Sequence, residues 1–257
     1  MKILYFTATG NSLHVAKKLG GELLSIPQLI KDNVWEIEAD KIGIVFPKYT
    51  YAIPEPVEEF LNKVTFKSPY IFSIITCGTS SVGAASELEK IAQRKGFKFS
   101  YINHIAMVHN MLTVLDMQKE IEKEPSKNIV SNLSQIVEDI QNKKSYIIEN
   151  SIVEKFITKQ LKKHKSFVEK IAKMNNFDQK FYIKSDCNGC GTCQKVCPIN
   201  NIEMSNGKPN YQGNCVWCMA CIQNCPQVAI HLPSEKSDAR YRHAQVTLKE
   251  IISANNV

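Results

Sequence analysis

Cys187-Asn188-Gly189-Cys190-Gly191-Thr192-Cys193-Gln194-Lys195-Val196-Cys197-Pro198 is answered 28 residues later by Cys215-Val216-Trp217-Cys218-Met219-Ala220-Cys221-Ile222-Gln223-Asn224-Cys225-Pro226. Each copy separates its cysteines by two, two and three residues and places a proline after the fourth. Eight of the nine cysteines of the chain fall here, so thiol chemistry is concentrated in one stretch. Spacing this short lets three cysteines of a run wrap a single metal centre. Zinc sites more often pair Cys-x-x-Cys knuckles across a long spacer and add histidine, which this pattern lacks.

The spacing resembles that of bacterial ferredoxins with two 4Fe–4S clusters, in which the fourth cysteine of each run serves the other cluster. The resemblance implies one cluster on Cys187, Cys190, Cys193 and Cys225. It implies a second on Cys215, Cys218, Cys221 and Cys197. Gly189 and Gly191 would let backbone amides approach the sulfurs, and Trp217 either shields a cluster or only packs.

Composition bounds the rest. A chain of 257 residues with 44% hydrophobic content and a mean hydropathy of −0.21 has material for a sizeable soluble core. No run approaches the roughly 20 apolar residues of a membrane span. The apolar start Met1–Phe6 is too short for an export signal and is followed at once by polar residues. Thiolates are then expected as metal ligands rather than disulfides, and the expected compartment is the cytoplasm. The net charge of +7 is uneven, with eight lysines against three acidic residues between Glu154 and Lys180. That segment reads as a solvated helix face, or as a docking surface for an acidic redox protein. No recognisable nucleic-acid module accompanies it.

Upstream, Lys2–Phe6 reads as a short buried strand, and Leu13, Ala16 and Leu19 mark a helix ended by Gly20-Gly21. Between them lies Thr7-Ala8-Thr9-Gly10-Asn11-Ser12. Strand, hydroxyl-rich loop and helix outline an anion site at the positive end of a helix. The hydroxyls of Thr7, Thr9 and Ser12 and the amide of Asn11 are candidates for its shell. Neither a Gly-Lys-Ser/Thr loop nor a GxGxxG fingerprint is present. Further strands are expected at Glu22–Ile26, Lys41–Phe46, Pro69–Thr76 and within Phe97–Met107. Helices are expected around Val57–Val64, Leu88–Ala92 and Ile129–Ile140. Alternation of this kind predicts a doubly wound, five-stranded parallel α/β sheet. Ligands of such sheets bind beyond the carboxyl ends of the strands.

The loop Thr-x-Thr-Gly-Asn-Ser resembles the FMN-phosphate loop of flavodoxins. After the third strand comes Pro47-Lys48-Tyr49-Thr50-Tyr51-Ala52-Ile53-Pro54. It resembles the flavodoxin-like half of flavodoxin–ferredoxin fusion proteins, with Ala52 where a glycine often stands. The resemblance implies that Pro47, Tyr49, Thr50, Tyr51 and Ala52 lie along the isoalloxazine ring, where aromatic stacking adds to burial. It implies that Thr76, Cys77, Gly78, Ser80 and Gly83 approach the ring's pyrimidine edge, with Cys77 in place of a frequent tyrosine. The loop Met107-Val108-His109-Asn110-Met111 resembles the family's Met-Pro-x-Asn-Tyr loop, with Val108 and Met111 departing, and the resemblance implies Asn110 as a flavin contact. A lone Cys77 is otherwise expected as a small buried hydrophobe.

The expected organisation is a flavodoxin-like FMN domain over 1–150, a helical connector over 151–176, a small α+β two-cluster ferredoxin-like domain over 177–233, and a tail over 234–257. The tail carries Arg240-Tyr241-Arg242 and an amphipathic stretch, and is expected either to fold back onto the first domain or to fray. FMN and two 4Fe–4S clusters would make the chain an electron-transfer protein serving a redox partner, with the cofactors carrying the chemistry. Two other readings stay open. One is an FMN-dependent reductase or oxidase with Tyr51, Cys77, His109 and Asn110 around a small substrate. The other is a redox sensor whose tail moves with oxidation state.

Overall fold

The computed structural model describes residues 1–49, 53–81, 83–149, 180–233 and 235–257. The first domain begins with β1 (Lys2–Tyr5) and α1 (Asn11–Leu19), then β2 (Glu22–Ser25), α2 (Ile26–Lys31), β3 (Glu36–Glu38) and β4 (Ile42–Pro47). It continues with α3 (Glu55–Lys63), β5 (Thr65–Lys67), β6 (Ile71–Cys77), α4 (Ala84–Lys95) and β7 (Tyr101–Ala106). It closes with α5 (Met117–Glu122), α6 (Ile129–Gln141) and β8 (Tyr146–Ile147).

Side-chain alternation along β1 explains why helices cover both faces of the sheet. Ile3 and Tyr5 enter one core with Leu13, Ala16 and Leu19 of α1 and Leu133, Ile136 and Ile140 of α6. Leu4 and Phe6 enter the other, with Val57, Phe60 and Leu61 of α3 and Leu88 and Ile91 of α4. β4 and β6 are apolar almost throughout because neither face meets water. Gly43 allows close packing at the centre: a Cβ there would stand 2.4 Å from the Phe72 ring.

The strands run in the order β2-β1-β4-β6-β7-β8, each pair parallel. This is a flavodoxin-like α/β sheet with a sixth strand beyond the five expected. β8 escapes a pattern search because only two residues pair, Tyr146 with Tyr101 and Ile147 with Ile102. β3 and β5 form a separate parallel pair. The chain leaves β1 outward to β2 and returns on its other side to β4. The loops at the carboxyl ends of β1 and β4 therefore diverge and open a crevice.

The second module is ferredoxin-like. Tyr182–Ile183 pairs antiparallel with Ile230–His231, and Ile202–Ser205 with Lys208–Tyr211. Each cysteine run contributes a short helix, Thr192–Lys195 and Ala220–Gln223. The 28-residue repeat is legible in the backbone. Gly189 and Trp217, Gly191 and Met219, and Asn200 and Val228 are repeat-related pairs, and all six residues hold left-handed φ between 48° and 73°. Only glycine does this without cost, so the second copy keeps the shape with strained residues.

The tail packs back as the helix Leu248–Asn255, begun by a capping box between Thr247 and Glu250. Val246, Ile251 and Ala254 join the core formed by β1 and α1, and so do Val196, Cys218 and Ala220 of the cysteine module. One apolar core thus takes residues from both modules and the tail, while most buried residues of the cysteine module form a core of their own. The expected connector, 151–176, lies outside the described residues. So does most of the lysine-rich segment, of which Lys180 is described. Among the described residues, no helix is long and apolar enough to cross a membrane.

Candidate functional site

The crevice beyond β1 and β4 is an open cleft of about 350 Å³. Thr7, Ala8, Thr9, Asn11 and Ser12 line it from the first loop. Pro47 and Lys48 follow β4, Thr76, Cys77 and Gly78 end β6, and Val108, His109 and Asn110 follow β7. Sequence-predicted residues from four separate loops therefore meet in one place. Thr50, Tyr51 and Ala52 lie outside the described residues, while Tyr49, Ser80 and Gly83 are described but do not line the cleft.

The first loop turns at Gly10, whose φ of 96° is left-handed. A Cβ there would also meet Val246 at 3.0 Å and His243 at 3.1 Å. No side chain caps α1 and no acidic residue sits in its first turn, so its positive end faces the cleft with no carboxylate of its own first turn beside it. The Thr7 and Thr9 hydroxyls accept bonds from the Gly10 amide (3.2 Å) and from Asn110 Nδ2 (3.3 Å), and each keeps its O–H for a further acceptor. Ser12 Oγ pairs with Thr76 Oγ1 at 2.9 Å. Asn11 is committed differently from expectation. Its Nδ2 donates to the Val108 carbonyl and its Oδ1 accepts from the Tyr241 hydroxyl, so it braces two loops and the tail.

The far wall is set by buried and charged groups. Cys77 is buried and its thiol is pushed up to about 12, chiefly by burial, so it stays protonated and apolar in character. Burial also holds the His109 imidazole below its ordinary value. Lys127, which carries no motif, donates to the Gly78 carbonyl at 2.8 Å, and Lys48 to the Ser80 carbonyl at 3.1 Å. These bonds fix the loop after β6.

A second, smaller and more enclosed cavity lies in the cysteine module. Cys197, Cys215, Cys218 and Cys221 all line it, with Tyr211, Val216 and Phe181. Burial, reinforced by the charges of neighbouring thiols, pushes Cys218 and Cys221 well above their ordinary values. Four clustered thiols of this kind favour a polycationic centre that neutralises them, so the donor set fits an iron–sulfur cube. Cys193 lies within electrostatic reach of Cys225 and Cys190. Backbone amides point at sulfurs in register with the repeat: Asn201 N to Cys197 Sγ and Ala229 N to Cys225 Sγ, both 3.3 Å.

The two sites are joined by contacts that no local pattern announces. Asn224, next to Cys225, donates to the Ala8 carbonyl in the first loop (3.0 Å). Gln223 Nε2 donates to the Asn110 carbonyl (2.9 Å), and its Oε1 accepts from the Tyr241 amide (2.7 Å). Asn255, fully buried, donates to the carbonyls of both Thr7 and Val196. The His243 amide donates to the Thr9 carbonyl at 2.8 Å.

A family model for the 4Fe-4S dicluster domain matches residues 179–230. Among solved structures, a protein of Bacteroides uniformis described as a flavoprotein is similar at 16% identity. The match covers 47% of this chain and 94% of that one, with a TM-score of 0.32. The Trp repressor binding protein of Bacillus subtilis is similar at 11% identity over 52% of this chain and 95% of that one, with a TM-score of 0.34. No curated protein matches the chain. The chain thus joins a flavodoxin-like α/β domain to a module that matches the 4Fe-4S dicluster domain.

Proposed function

We propose that the chain is an electron-transfer protein carrying FMN in the cleft and two 4Fe–4S clusters in the cysteine module, and passing electrons to a redox protein. The observation that carries this reading is the shared interior. Cys218 belongs to the same buried core as β1 and α1, and Gln223 and Asn224 grip the loops that line the cleft. A tether between independent domains would need no such fit.

In this reading Thr7, Thr9, Gly10 and Ser12 hold the phosphate at the start of α1. Cys77, Gly78 and Asn110 bound the ring, with Pro47, Thr50, Tyr51 and Ala52 contributing from the loop after β4. Asn11 serves by holding the loop in shape. Cys187, Cys190, Cys193 and Cys225 hold one cluster, and Cys197, Cys215, Cys218 and Cys221 hold the other. Bound FMN supplies the exchange between one-electron and two-electron carriers. The chain's own contribution is position: a fixed separation, a dry interior between the sites, and amides that stabilise charge on the sulfurs. The acidity of the partner follows from the lysine-rich segment and is part of the proposal.

The deciding experiment is anaerobic purification followed by flavin identification, iron and sulfide analysis and a redox titration. The expected result is FMN together with iron and sulfide for two four-iron clusters, reoxidised rapidly by carrier proteins. Iron without flavin would exclude the FMN assignment. Saturable flavin reoxidation by one small oxidant, with carrier proteins inactive, would favour the reductase instead.

A further inference from the structure

Tyr49 is placed oddly for a residue whose sequence context points to the flavin. It follows Lys48, which lines the cleft, yet Tyr49 itself is absent from the cleft wall. Its ring stands edge-on to Phe6, 6.1 Å between centroids and 72° between planes, just before the first loop begins. It packs against both cores of the first domain, one of which contains Cys218. Its hydroxyl is buried and, alone among the described tyrosines, makes no hydrogen bond while shielded from water. Burial, followed by the neighbouring thiols of Cys218 and Cys215, pushes its phenol well up. A buried phenol is a donor in search of an acceptor. The cysteine-module cavity already shows a phenol on sulfur, where the Tyr211 hydroxyl reaches Cys221 Sγ at 3.7 Å.

We infer that the Tyr49 hydroxyl donates a hydrogen bond to a sulfur of the cluster held by Cys197, Cys215, Cys218 and Cys221, and so tunes that cluster. The inference rests on the two-cluster reading above. A donor aimed at sulfur stabilises the more negative, reduced cluster and raises its potential. Tyr49 would then act on the potential of that cluster without touching the ring. The cluster bound by the first run lacks this donor and keeps its own potential.

The test is Tyr49→Phe in the anaerobically purified, fully loaded protein. The substitution removes the hydroxyl and retains the ring against Phe6. Electron paramagnetic resonance during a redox titration reads the two clusters separately, and absorbance reads the flavin. The expected result is a negative shift confined to one cluster, of about tenfold in its reduction equilibrium, equivalent to about 59 mV for one electron. Iron, sulfide and FMN contents stay at parent levels. A second variant, Tyr211→Phe, should shift the same cluster and thereby identify it. Unchanged cluster potentials with full iron content would overturn the inference, as would equal shifts in both clusters. A shift of the flavin potential alone would also overturn it and assign Tyr49 to the ring. A parent protein that loads one cluster or none would instead refute the reading on which the inference rests.

Discussion

Asn255→Ala should release the tail from both modules at once. Asn255 is fully buried at the end of its helix, and its Nδ2 donates at 2.9 Å to the Thr7 carbonyl and at 3.1 Å to the Val196 carbonyl. Truncation strands two buried acceptors, each costing about 1–3 kcal/mol. One term offsets this: Asn255 Oδ1 has no partner, so removing it returns about 1 kcal/mol. The net loss is about 1–5 kcal/mol, which shifts the opening equilibrium at least about fivefold and, at the middle of that range, about 150-fold. Lys249 is exposed but helical, so trypsin cuts there only after the helix Leu248–Asn255 opens. In that regime the cleavage rate follows the opening equilibrium. Mass spectrometry of the released Glu250–Val257 peptide therefore reads the effect directly. Gln28→Ala is the control. It removes a donor to the Asn256 carbonyl at the exposed edge and should change the rate by no more than about twofold. Cleavage of Asn255→Ala within about threefold of the parent would refute the claim that this side chain joins the modules.

Two further perturbations probe charge and strain. His243 stacks on His14 at 3.9 Å, and burial, followed by the charges of His14 and Lys17, lowers its pKa to about 4. The undocked tail then binds protons more readily, so docking is complete above about pH 6.5 and weakens as pH falls toward about 4. Hydrogen exchange of the 246–255 amides should show that loss of protection, and His243→Phe should reduce the slope; protection that rises as pH falls would contradict it. Val228→Asn places at φ 48° the residue type that its repeat mate Asn200 already uses at φ 52°. It should raise the thermal stability of the loaded protein by about 1 kcal/mol, and an unchanged or lower midpoint would count against strain at Val228.

Much of the fold is legible along the chain because it is written in local periodicity. The apolar runs of β4 and β6 and the helical stripe Leu133, Ile136, Ile140 depend on which faces are buried, and burial repeats at short range. The short strand Tyr146–Ile147 is not legible, since its pairing with Tyr101 and Ile102 leaves too few residues for any period. The cleft is legible as four loops, because each strand's carboxyl end announces itself. Its bracing is not. Gln223, Asn224, Tyr241 and Asn255 are single polar residues whose partners lie far away in sequence, and such residues have no period to detect.

By itself the sequence determined the cysteine repeat, the alternation of strands and helices, and the hydroxyl-rich loop ahead of α1. Each is a relation between near neighbours or an exact internal copy. Only the tertiary structure decided that Asn11 is spent on Val108 and Tyr241, that Gln223, Asn224 and Asn255 join the cysteine module to the loops of the cleft, and that Tyr49 stands outside the cleft wall with its hydroxyl unpartnered. These are outcomes of packing two modules and a tail against a shared core. A side chain's partner there is set by which surfaces exclude water together, and that information is spread over the whole chain.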